Sequence, residues 1–246
     1  MRWPESSTDV STIESHAERD RAQQILTILR NRLSIREEKF ATLVVANETR
    51  DPFKVLVMTV LTQNCTDVAA LRAYRRLDEQ VGVSVERLAA ANVRRIERAI
   101  RQAGLNKQKA KGIHRFARII NEQYSGTLDP LLSGDLDSVR AELQQLPQIG
   151  PKTVDVLLSV FGRPTISVDT HVNRVSKRLE LAKPKDNYER TRSSLMKLFK
   201  EKDYRAIPLL FMTLGREICR AHHPLCPTCP IERLCPYPRK TRKAAA

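Results

Sequence analysis

No stretch of this chain alternates polar and apolar residues with period two. Apolar residues recur instead at helical spacing from one end to the other. In residues 22–33 they fall at Ile25, Ile28, Leu29 and Leu33, one stripe of an amphipathic helix. Asp51-Pro52 reads as a cap followed by a proline at the first helical position, opening a helix over 53–61. That run is apolar nearly all round, which places it in the centre of a core. Thr66 or Asp67 caps a helix to about Leu77, and Asn92 and Gly104 bracket another over 93–103. Ile113, Phe116, Ala117, Ile120 and Tyr124 mark a helix ended by Gly126. Further helices are predicted at 138–145, 152–161, 170–179, 188–199 and 207–219, with Pro130, Pro147, Pro164 and Pro184 between helices. The fold class is all-α.

At 246 residues the chain can build one large domain or two smaller ones. No window approaches the roughly 18 apolar residues of a membrane span, and the polar N-terminus has no apolar core of a secretory signal. The expected setting is therefore inside the cell, the cytoplasm of a prokaryote or the nucleus of a eukaryote, without membrane or secretion. Lys and Arg number 43 against 28 Asp and Glu, a net charge of +15 that suits a polyanionic partner. Arg94, Arg95, Arg98, Arg101, Lys107, Lys109 and Lys111 are spread along the chain, as on a structured binding face. Aromatic content of 5% offers little for stacking single strands.

The stretch 146–171, LPQIGPKTVDVLLSVFGRPTISVDTH, carries the chemistry. LPQIGPK reads as helix, tight turn, helix. Leu146 and Ile149 anchor the turn, while Gly150 permits close backbone approach and can take a positive φ. The amides at the start of the second helix suit a phosphate, although a lone L-P-x-x-G also describes an ordinary helix corner. Lys152 lies in the first turn of that helix. Its amine, once it has given up a proton, is a nucleophile able to form a Schiff base. Asp169 reads as the cap of the following helix, catalytic as well if its carboxylate faces a cleft. His171 reads as a structural, hydrogen-bonded residue.

Four of the five cysteines, Cys219, Cys226, Cys229 and Cys235, form a C-x6-C-x2-C-x5-C run. Without a secretion signal they read as metal ligands, for zinc or for an iron–sulfur cluster. Zinc fingers typically use two C-x2–4-C pairs, and this run has one C-x2-C. Arg220, Arg233, Arg239 and Lys240 surround it, as in a loop touching phosphates. Cys65, alone in an apolar stretch, reads as a buried or half-buried thiol.

Together LPQIGPKTV, FGRPTIS, VDTH and the cysteine run resemble the endonuclease III family of helix-hairpin-helix DNA glycosylases, over about residues 22–236. LTQNCTD around Gln63 resembles the family segment that fills the space left by an extruded base, and AGLNKQKA around Leu105 its second wedge loop. Two positions depart from the pattern. Gln148 stands where the hairpin usually has its first glycine, and Asn106 where relatives often carry an aromatic residue.

The resemblance implies two helical lobes with a DNA-binding cleft between them. A six-helix bundle with the hairpin would span 45–162. A cluster lobe would combine 19–44 with 163–238, flanked by a flexible segment 1–18 and a basic tail 239–246. It also implies one [4Fe–4S] cluster on Cys219, Cys226, Cys229 and Cys235, with Lys152 and Asp169 catalytic. Gln63, Leu105, Gln148, Gly150 and Thr153 would contact DNA. The implied activity is that of a monomeric bifunctional glycosylase/AP lyase. It would remove oxidised or damaged pyrimidines from double-stranded DNA and cut at abasic sites. A mismatch glycosylase taking T or U opposite G is the alternative within the superfamily, and a non-catalytic DNA-binding iron–sulfur protein the alternative outside it. An adenine glycosylase fits less well, since little chain follows the cysteines to form a recognition domain.

Overall fold

The computed structural model describes residues 10–238, and every regular element among them is helical, as the apolar spacing requires. The chain divides into two compact units. One is Arg36–Ser167; the other joins the described residues of Met1–Ile35 to those of Val168–Ala246.

The first helix, α1, is Val10–Arg32 and belongs to the second of these units. In the Arg36–Ser167 unit follow α2 (Ala41–Thr49), α3 (Pro52–Thr62), α4 (Asp67–Gln80), α5 (Val85–Ala90), α6 (Val93–Ala99), α7 (Asn106–Gln123), α8 (Asp129–Ser133), α9 (Leu136–Leu143) and α10 (Pro151–Val160). Helix α3 is the core helix its composition predicts, buried at every position from Pro52 to Leu61 except Lys54. Its cap is Asp51, which accepts from the amides of Phe53 (2.8 Å) and Lys54 (3.2 Å). Thr66 caps α4 and Asn92 caps α6, again as read.

Several elements differ from the sequence reading. Helix α2 was not anticipated, because no local side chain caps it. Its first amide, from Ala41, is instead accepted by Asp67 on α4 at 3.0 Å. The short helices α5 and α8 were also missed, and Pro130 lies in the first turn of α8, where a missing amide is harmless. The helix expected over 93–103 stops at Ala99 and gives way to a 3-10 turn, Arg101–Ala103. Helix α7 begins at Asn106, well before Ile113, because its buried face includes Lys109 and Gly112, neither of which reads as apolar.

The second unit contains α1, α11 (Thr170–Arg178), α12 (Tyr188–Leu198), α13 (Ala206–Glu217) and the cysteine run. Ala22, Ile25, Leu26 and Leu29 form the buried face of α1. Arg21 ties α1 to the unit, donating to the carbonyls of Leu179 (2.7 Å) and Leu234 (3.2 Å). Arg30 pairs with the buried Asp203 at 2.7 Å. Helix α1 begins at Val10, inside the segment 1–18 set apart in the sequence, and no Gly or Pro falls between Val10 and the apolar stripe. Residues 1–9 and the basic tail 239–246 lie outside the described residues. Gly215 lets α11 and α13 approach, because a Cβ there would lie 2.9 Å from the Cβ of His171.

Candidate active site

In the Arg36–Ser167 unit the hairpin joins α9 to α10. Leu146 and Ile149 are both buried and fasten the turn to the core. The residue with positive φ is Gln148 (φ +69°), whereas Gly150 has φ −96° and ψ 175°. The backbone freedom expected of Gly150 is thus used at Gln148, which pays local strain to keep the turn. Its side chain lies across Gly112 of α7, where an added Cβ would fall 2.2 Å from Gln148 Cγ. The absent side chain of Gly112 makes room for the one the hairpin carries. Beside Gly150 a Cβ would meet nothing within 4 Å, so a ligand can come close to the backbone there.

Helix α10 has no side-chain cap at Gly150, in contrast to the caps at Asp51, Thr66, Ser84, Asn92, Asp135, Asp169 and Asn187. Its first-turn amides are therefore available at the positive end of the dipole, the arrangement that binds a phosphate. Lys152 is the second residue of this helix and is exposed. Thr153 beside it is buried, and its Oγ1 accepts from Gln63 Nε2 at 3.2 Å. The same Nε2 donates to the carbonyl of Gln148 at 3.2 Å. Gln63, Gln148 and Thr153 therefore form one bonded group on the hairpin that also carries Gly150 and Lys152.

The loops around Gln63 and Leu105 run side by side. A Cβ on Gly104 would lie 4.0 Å from the carbonyl oxygen of Asn64. Leu105 is 52% exposed and left-handed (φ +47°), and Asn64 is left-handed as well (φ +50°). An exposed leucine held in a strained conformation suits insertion into an apolar space such as a base stack. Lys109 corrects the sequence reading. It was assigned to the basic binding face, but it is buried, and burial pulls its ammonium below the ordinary lysine range. Arg94, Arg95, Arg98, Arg101, Lys107 and Lys111 are exposed as expected.

Beneath the hairpin the buried Asp155 on α10 receives a bidentate pair from Arg140 on α9, at 2.8 and 3.0 Å, and a 2.7 Å bond from Thr165 Oγ1. Sequence reasoning missed this pair; a buried Arg and Asp on consecutive helices leave no periodic signal.

In the other unit Asp169 is the cap of α11. Its Oδ1 accepts from the amide of Val172 at 2.7 Å, and its Oδ2 lies 3.0 Å from His171 Nδ1. The carboxylate is held in one orientation, and His171 has the hydrogen-bonded place read for it.

Cys219, Cys226, Cys229 and Cys235 line one cavity with Ile218, Arg178 and Tyr237. Arg178 donates to Cys219 Sγ at 3.3 Å and to the carbonyls of Arg220 (2.7 Å) and Ala221 (2.9 Å), and it stacks under the Tyr237 ring at 4.6 Å. Burial pushes the Cys229 thiol up to about 11. Among the described residues no three His, Cys, Asp or Glu side chains converge as a single metal ion would need. Four thiols lining one cavity are a donor set that suits either zinc or an iron–sulfur cluster. Arg220 and Arg233 are exposed beside the run, while Arg239 and Lys240 lie outside the described residues. Cys65 is half-buried.

Residues 57–201 match the HhH-GPD superfamily base excision DNA repair protein family. Endonuclease III of Sulfolobus acidocaldarius is 33% identical over 220 residues, covering 89% of this chain and 96% of that protein. The chain belongs to this family. It is a base excision repair glycosylase with a DNA-binding, all-helical fold. A trapped endonuclease III–DNA covalent intermediate is 32% identical, with a TM-score of 0.69 over 83% of this chain and 97% of that one. A thermostable thymine-DNA glycosylase has a TM-score of 0.71 at 21% identity, over 93% of this chain and 98% of that one, and so shares the fold.

Proposed function

We propose that this glycosylase is bifunctional, releasing oxidised pyrimidines from duplex DNA through a lysine Schiff base and then cutting the strand. The observation that carries the reading is Lys152, an exposed amine on the uncapped first turn of a helix whose free amides suit a neighbouring phosphate. A relative of similar sequence has been caught covalently joined to DNA, which supports the same chemistry here.

The target nucleotide leaves the stack, since its sugar carbon is shielded in the duplex. Gln63 and Leu105 occupy the space it vacates. The Lys152 amine attacks C1′, the bond from C1′ to the base breaks, and its electron pair leaves with the base. Asp169 takes the proton lost from Lys152, or stabilises positive charge growing on the sugar. The amine nitrogen loses its second proton and forms an imine with C1′ as the C1′–O4′ bond breaks, which opens the sugar ring and leaves O4′ as a hydroxyl. Loss of a proton from C2′ expels the 3′ phosphate by β-elimination, and water releases Lys152.

Cys219, Cys226, Cys229 and Cys235 would hold one [4Fe–4S] cluster. When bound, it supplies a structural cross-link for the surrounding loops, since neither base release nor elimination transfers an electron. The protein acts as a monomer wherever the DNA is.

The test is single-turnover base release on duplexes carrying an oxidised pyrimidine or a G·T mismatch, with wild type and Asp169→Asn. Rapid release of the oxidised base, slowed about 100-fold or more in the variant, is the expected outcome. Faster release at the mismatch would overturn the substrate assignment. A near-native variant would leave Asp169 only its capping role.

A further inference from the structure

Lys109 sits behind the two loops expected to enter the DNA stack, and it bonds to both. Its ammonium donates to the carbonyl of Leu61 at 2.8 Å and to that of Ala103 at 2.7 Å. Leu61 is two residues before Gln63, in the last turn of α3, and Ala103 is two residues before Leu105, at the end of the 3-10 turn. Carbonyls at helix ends lack a partner within the helix, and the negative end of the dipole favours a cation. The backbone amide of Lys109 also donates to the carbonyl of Leu105 at 3.0 Å. The side chain is only 1% exposed and so cannot touch DNA.

The loops it joins are both strained. Asn64 and Leu105, neither of them glycine, have positive φ, at +50° and +47°. Left-handed residues persist only where the surroundings over-determine them. A simple core residue would be apolar here. A buried ammonium spanning these two carbonyls fixes the spacing of the loop tips instead.

We infer that Lys109 is a positioning residue for base extrusion: it braces the Gln63 and Leu105 loops as one preformed double wedge. The inference rests on the glycosylase reading above. The brace matters when a lesion must be drawn from an intact stack. It matters much less when the lesion is already unpaired.

The experiment compares single-turnover base release by wild type and Lys109→Met on two duplexes. One holds an oxidised pyrimidine opposite its normal partner, the other the same lesion opposite an abasic analogue. The expected result is a fall of about tenfold or more on the paired lesion and less than about threefold on the unpaired one. Equal falls on both substrates, or no fall, would overturn the inference, since a structural residue lowers both alike. Gly104→Ala, which strains the second loop without touching the lysine, carries the test if Lys109→Met does not fold. It should show the same selective loss, and an unselective effect would count against the brace. Absence of base release by wild type on either duplex would instead overturn the glycosylase reading.

Discussion

Replacing Arg140 by methionine isolates the buried ion pair on which α10 rests. Methionine keeps much of the volume and removes both guanidinium bonds to Asp155, at 2.8 and 3.0 Å. Asp155 is 0% exposed, so its charge loses its cation with no recourse to bulk water. Removing one partner of a buried pair destabilises by about 3–5 kcal/mol, because the remaining charge is uncompensated. For a chain of this size that corresponds to a fall in Tm of roughly 10 °C. The assay is thermal and urea unfolding followed by far-UV circular dichroism. Adding Asp155→Leu and Thr165→Val removes the stranded carboxylate and the hydroxyl that bonds to it, and should recover most of the loss. A loss below about 1 kcal/mol for Arg140→Met would refute the argument, since that is the value of an exposed pair. Well below the transition the variant should retain its chemistry, because the pair touches no reacting group.

Two further predictions concern local structure. Gly112→Ala would ordinarily stabilise a helix by up to about 1 kcal/mol, but here the new Cβ falls 2.2 Å from Gln148 Cγ. The expected outcome is destabilisation by about 1–3 kcal/mol and weaker DNA binding, reversed by Gln148→Gly in the same chain. Urea unfolding and a binding titration check both, and a stabilised single variant would contradict the packing. Asp51→Ala removes the acceptor of two first-turn amides of α3 and should cost about 1 kcal/mol in the same unfolding assay.

Much of this was legible wherever the signal is local. The caps at Asp51, Thr66 and Asn92, the apolar α3, and the anchors Leu146 and Ile149 are each written within a few residues. The parts that were not legible depend on distant partners. Helix α2 takes its cap from Asp67, Thr153 meets Gln63, and Arg140 meets Asp155 only after folding. Lys109 looked like one more surface cation because nothing near it in sequence shows the two carbonyls it spans. The hairpin was read correctly in outline, yet its positive φ fell on Gln148 rather than Gly150. The side chain that Gln148 brings to the turn fits only because Gly112 on α7 has none.

The central claim is that Lys152 is the nucleophile, and borohydride trapping tests it most directly. Wild type and Lys152→Ala are incubated with a duplex carrying an oxidised pyrimidine, reduced, and resolved under denaturing conditions. A covalent protein–DNA adduct for wild type, absent from a Lys152→Ala protein that still binds the duplex, is the predicted result. An adduct that survives the substitution, or clean base release by wild type without any adduct, would contradict the account.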